Sequence, residues 1–86
     1  MFGWAHPATP RQDADQLRWQ VVTERSDRVR VVEWTCPCHH PVYELCSSGG
    51  LLFIRRWDSA NWVESDRWRL HEAREMWDKL LAGACR

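Results

Sequence analysis

Cys36-Pro37-Cys38-His39-His40 puts four thiol or imidazole side chains into five consecutive residues, the densest run of chemistry in the chain. Thiolates and neutral imidazoles are the ligands that zinc gathers tetrahedrally. Structural zinc sites usually draw C-x₂₋₄-C pairs from two separate elements, whereas the spacing here is C-x-C and no second pair follows. Cys46 does not replace that pair if the run forms a hairpin loop, because it then lies about four residues along a strand, roughly 13 Å away at about 3.3 Å per residue. A complete site would take Cys36, Cys38, one of the two histidines, here assigned as His40, and a further ligand from the N-terminal segment such as His6. The plainer reading of the same residues is a stiff, proline-flanked loop between two strands.

Cys38 beside His39 or His40 also has the composition of an activated thiol nucleophile. Sequence neighbours on a hairpin point apart, and the pattern places no acid or oxyanion donor beside them, so the chain is read as non-enzymatic. Arg55-Arg56-Trp57 has the residue types that stack on a single strand and pair with its phosphates. Asp58, Glu64 and Asp66 follow closely, however, and a solvated strand end with Arg55 paired to Glu44 accounts for the arginines more simply. Twelve basic residues balance twelve acidic ones, leaving no net field to collect phosphate backbone or anionic lipid. Nucleic acid is not an expected partner.

Positioning these groups falls first to residues 42 to 57. Two apolar runs meet there at Ser47-Ser48-Gly49-Gly50, and consecutive glycines suit the tight two-residue turns that need positive φ. Leu17 to Glu24 and Val29 to Thr35 alternate and are rich in Val and Trp, with Ser26-Asp27 as a turn, which predicts a second hairpin. From Asp66 to Ala82 the apolar positions Leu70, Ala73, Trp77, Leu80 and Leu81 recur at helical spacing, Glu75 and Lys79 form an oriented i,i+4 pair, and Gly83 is the stop. The fold class is therefore α+β: a four-stranded antiparallel meander with one C-terminal amphipathic helix packed on one face. Residues 1–16, with Pro7, Pro10 and a polar run from Arg11 to Gln16, read as a flexible N-terminal arm, and residues 17–86 as a single domain.

Register follows from which pairing brings the apolar residues together. A four-residue loop over residues 37–40 collects Leu17, Trp19, Val21, Val32, Trp34, Tyr43, Leu45, Leu52 and Ile54 on one face, beneath the helix. A five-residue loop would bury Glu33 beside Leu45, so the shorter one is preferred. The opposite face then carries Glu44 across from Arg55, a sensible ion pair. It also carries Val22, Val31, Cys46 and Phe53 in one row, with Trp57 beyond them. An apolar row on a solvated face marks a contact surface for a second copy, another protein, or the returning segment from Trp57 to Trp68.

The N-terminus has neither a basic n-region nor an apolar h-region, and the longest aliphatic or aromatic run is Leu51 to Ile54, so neither a signal peptide nor a membrane span is expected. The expected location is cytoplasmic, with the four cysteines as thiols. Seven tryptophans supply core area for so short a chain, while Trp4, Trp62 and Trp68 have no assigned place in it. Tyr43-Glu44-Leu45-Cys46-x-x-Gly49-Gly50-x-x-Phe53-Ile54-Arg55-Arg56, preceded by a Trp-Gln-Val-Val strand and followed by a Trp-x-x-Leu-Leu-x-Gly helix, resembles small uncharacterised proteins of Streptomyces-type actinobacteria. The resemblance covers residues 17–86 and implies a cytoplasmic bacterial origin, with no activity to transfer.

The leading expectation is a protein-interaction or regulatory module acting through Val22, Val31, Cys46, Phe53 and Trp57, as a homodimer or with another protein, and without a cofactor. The alternative is a zinc-binding or redox-responsive regulator centred on Cys36, Cys38 and His40.

Overall fold

A computed structural model describes residues 4–21, 29–38, 41–57 and 61–86. Among them are six strands, β1 (Trp4–Ala5), β2 (Gln20–Val21), β3 (Arg30–Thr35), β4 (Val42–Ser48), β5 (Leu51–Trp57) and β6 (Trp62–Glu64), and one helix, α1 (Leu70–Leu81). The architecture is α+β, as expected, but the sheet has six strands in the order β1-β3-β4-β5-β6-β2, not four. All neighbours are antiparallel except β1 and β3.

The central hairpin forms as its glycines require. Gly49 and Gly50 take φ of 58° and 82°, the two-residue turn lets Ser48 pair with Leu51, and the ladder runs on to Val42 opposite Trp57. The first hairpin is not seen among the described residues. Among the described residues β2 pairs with β6 at the far edge of the sheet, Gln20 opposite Glu64 and Val21 opposite Val63, and Val21 is 69% exposed, not core. The turn at Ser26-Asp27 lies outside the described residues.

Between β3 and β4 the register changes along the ladder. Arg30 faces Ser47 and Val31 faces Cys46, the pairing of a four-residue loop, but Glu33 faces Leu45 and Trp34 faces Glu44, one residue longer. A bulge between Val31 and Glu33 absorbs the difference. Glu33 thus does sit beside Leu45, the placement for which the shorter loop was preferred. The fold accommodates it because Arg74 on α1 forms an ion pair with Glu33, whose side chain stays 37% exposed. The shift turns Trp34 onto the Glu44 face, out of the expected core.

Helix α1 starts later than the pattern suggested and buries Ala73, Trp77 and Leu80 against Leu17, Tyr43, Leu45, Leu52 and Ile54, with Trp19, Val32, Trp68, Met76 and Leu81 around them. Leu70 is 58% exposed, not part of the buried stripe. Gly83, at φ 78°, ends the helix: its amide donates to Leu80 O at 3.1 Å and that of Ala84 to Lys79 O at 2.8 Å, the paired bonds of a Schellman motif.

Residues 4–17, expected within or beside a flexible arm, are tied down by backbone bonds. Ala8 N donates to Leu81 O at 2.8 Å, Arg11 N to Gly83 O at 3.0 Å, Asp15 N to Ala84 O at 3.0 Å and Leu17 N to Arg86 O at 2.6 Å. Among the described residues no helix is long and apolar enough to cross a membrane.

Candidate metal centre

The two-residue ladder of β1 along β3 places Trp4 opposite Trp34 and Ala5 opposite Thr35. The next residues, His6 and Cys36, therefore leave the sheet side by side at the same end. Thr35 is buried, and its hydroxyl accepts the Tyr43 amide at 2.9 Å, anchoring the point from which Cys36 departs. Pro37 and the turn that begins there bring Cys38 back. The ligand atoms of His6, Cys36 and Cys38 all lie within 4.8 Å of one another, and His6 Nδ1 stands 3.7 Å from Cys38 Sγ. Tetrahedral zinc with bonds of about 2.3 Å to sulfur and about 2.0–2.1 Å to nitrogen holds neighbouring ligands about 3.6–3.8 Å apart. The donor types suit zinc and the His6–Cys38 separation matches that spacing, with three ligands gathered among the described residues.

Cys36 is half-buried while Cys38 and His6 are exposed, so the cluster opens to solvent on one side. The Cys38 thiol is pushed up, first by its hydrogen bond with Cys36, then by desolvation and by the charge that Cys36 would carry. A divalent cation held between the two sulfurs would remove that opposition to Cys38 ionisation by displacing the protons. His40 and its neighbour His39 lie outside the described residues. His6, which the sequence could offer only as a ligand of the right type from the right segment, is brought in by β1, an element too short to leave a pattern.

The row on the opposite sheet face has the expected register but a different exposure. Val31 faces Cys46 and Cys46 faces Phe53, yet Cys46 and Phe53 are 0% exposed, while Val31, at 36%, reaches solvent. Cys46 and Phe53 therefore do not form an open strip. Cover for Phe53 comes from the chain after β6. Ser65 is extra in the ladder: its hydroxyl, 2.8 Å away, accepts the Ile54 amide while its own amide donates to Ile54 O. Pairing resumes with Leu52 opposite Trp68, which sets the Arg67 guanidinium 4.3 Å from the Phe53 ring centroid. Arg55 donates to Glu44 Oε1 at 2.7 Å, the ion pair expected across β4 and β5. Trp57 is half-buried against Trp62, centroids 5.2 Å apart. Val22 lies outside the described residues. The Cys46 thiol is pushed up to about 12, chiefly by burial, and so stays protonated.

Comparison of the chain with protein-family models, with curated proteins and with solved structures gives no match, so a functional reading is supported by the arrangement of its own side chains.

Proposed function

We propose that this protein is a small, non-enzymatic zinc-binding module in which His6, Cys36 and Cys38 hold the ion and tie the N-terminal strand to the sheet edge. The observation that supports it is the convergence of a histidine and two cysteines, from segments about thirty residues apart, to within 4.8 Å. Two thiolates and an imidazole make a soft to borderline set suited to zinc. The same pair of thiols makes occupancy sensitive to oxidation, which gives the module a regulatory use in a reducing, cytoplasmic setting. Native mass spectrometry of untagged protein purified without chelator tests it: about one zinc per chain is expected, lost in Cys38→Ser and in His6→Ala. Protein that is metal-free and takes up no zinc on addition overturns the reading.

A second reading keeps the exposed rim of the outer sheet face, on β3 and at the start of β5, as a partner surface for another protein or a second copy. What favours it is the exposure of Val31, 36%, and Leu51, 38%, beside half-buried Trp34, Trp57 and Trp62. Sedimentation at increasing concentration tests the homodimer, which Val31→Asp should dissociate without unfolding the chain.

A further inference from the structure

We propose that the seam between the N-terminal segment and the C-terminal end of α1 binds a small uncharged ring compound bearing one hydroxyl or carbonyl group. A cavity of about 210 Å³ lies there, lined by residues 7–10, Pro41, Tyr43, Leu80 and Cys85. Its floor is buried and its rim is open: Tyr43, Leu80 and Cys85 are at most 6% exposed, whereas Ala8, Thr9 and Pro10 face solvent. An engineered dry cavity of about 150 Å³ holds benzene. The larger volume here admits one ring with a short side arm. The walls are set before any ligand arrives, since Ala8 N donates to Leu81 O at 2.8 Å and Arg11 N to Gly83 O at 3.0 Å, which pins residues 7–10 against the end of the helix.

The chemical class of the ligand follows from what the lining carries. None of its side chains is charged. A charged ligand entering the cleft would shed water without meeting a countercharge, a penalty that an uncharged ring does not incur. Pro7, Pro10 and Pro41 have no N–H, so they give the walls ring carbon and no backbone donor. With the Tyr43 ring they suit an apolar ring of similar size. Cys85 has little to offer a ligand, because its thiol donates to Met76 O at 3.7 Å and burial raises its pKa. The polar contact falls to Tyr43. This residue is more than nine-tenths buried, and among the described residues its hydroxyl has no hydrogen-bond partner. Buried hydroxyls ordinarily have one. An apolar cleft walled by a residue whose hydroxyl is unpaired matches a ring that carries one hydroxyl or carbonyl group.

The proposal does not rest on zinc, and the test is run on the full chain with and without it. ¹H–¹⁵N spectra are followed during separate titrations with benzyl alcohol, phenylacetate and benzylammonium, which carry one ring with no charge, a negative charge or a positive charge. Benzyl alcohol should give saturable shifts at Ala8, Thr9, Leu80 and Cys85. Both ions should bind at least about tenfold more weakly, because the cleft returns nothing for the hydration it removes. Tyr43→Phe should weaken benzyl alcohol about two- to tenfold, the range one hydrogen bond supplies, and leave toluene, the ring without the hydroxyl, unchanged. Ala8→Trp, at an exposed position, should fill the cleft and abolish binding of benzyl alcohol and toluene alike. Absence of saturable shifts at these residues, an ion that binds as tightly as benzyl alcohol, a benzyl alcohol affinity unchanged in Tyr43→Phe, or a response that survives Ala8→Trp overturns the proposal.

Discussion

Cys38 and Cys46 are the same side chain in opposite surroundings, and the contrast is measurable. Cys46 is fully enclosed and its thiol is pushed up to about 12, so native protein at pH 8 should leave it unalkylated while exposed Cys38 reacts in the metal-free chain. Cys46 also sets an alkaline limit on stability. In the unfolded chain it loses its proton near its ordinary value of 9.0, whereas in the fold it keeps it to about 12. Its contribution is therefore complete below about pH 9 and is lost as pH rises toward about 12, at up to about 1.4 kcal/mol per pH unit. Burial raises Tyr43 and Cys85 in the same direction. Urea midpoints measured from pH 7.5 to 10.5 should fall with pH, and fall less steeply in Cys46→Ala. The glycines separate in a similar way. A methyl group on Gly50 meets nothing within 4 Å, so Gly50→Ala carries only the positive-φ cost of about 1 kcal/mol. One on Gly83 would stand 2.6 Å from the Thr9 carbonyl oxygen. Gly83→Ala should cost about 2–3 kcal/mol and lower Tm by roughly 8–24 °C, at about 4–8 °C per kcal/mol for a domain of this size.

At the scale of elements, what the sequence made legible was what local chemistry dictates. Gly49-Gly50 placed the central hairpin, the Ala73, Trp77, Leu80 spacing placed the helix, and Gly83 placed its end. Three features had no local signature. Alternation in Leu17 to Glu24 says that a strand can form but not which edge it joins, and Gln20–Val21 joins β6. The bulge in β3 sets Glu33 where Arg74, 41 residues away, pairs with it. The arm docks through main-chain amides, which every sequence possesses. For the proposed metal site, Cys36 and Cys38 were legible by type, whereas the approach of His6 required a strand of two residues. The clearest element-scale test is the irregularity after β6. There the Ser65 hydroxyl takes the place of a backbone acceptor for the buried Ile54 amide, 2.8 Å away. Ser65→Ala leaves that amide unpaired beneath the sheet and should cost about 1–3 kcal/mol. The loss should appear as faster amide exchange at Ile54 and a lower Tm, with the Gly49-Gly50 turn unaffected.

At the scale of the whole molecule, the chain is closed by seams between distant segments. The N-terminal segment lies along the tail after α1 and, through β1, along β3, and zinc at His6, Cys36 and Cys38 would fasten the second of these. An ion that binds the folded chain alone stabilises it by mass action, about 2.7 kcal/mol at a free concentration one hundred times Kd. For a chain of 86 residues that corresponds to a Tm rise of roughly 10–20 °C. A chelator should reverse it, and His6→Ala should abolish it while leaving the metal-free Tm near that of the parent, because the His6 side chain is exposed and fills no core space. Amide exchange locates the effect. Ala8, Arg11, Asp15 and Leu17, whose amides bond to the tail, should slow most on zinc addition, since opening the arm then requires breaking the metal bonds as well. Slowing confined to Cys36 and Cys38 at full zinc occupancy would mean that the ion stiffens the loop without holding the arm.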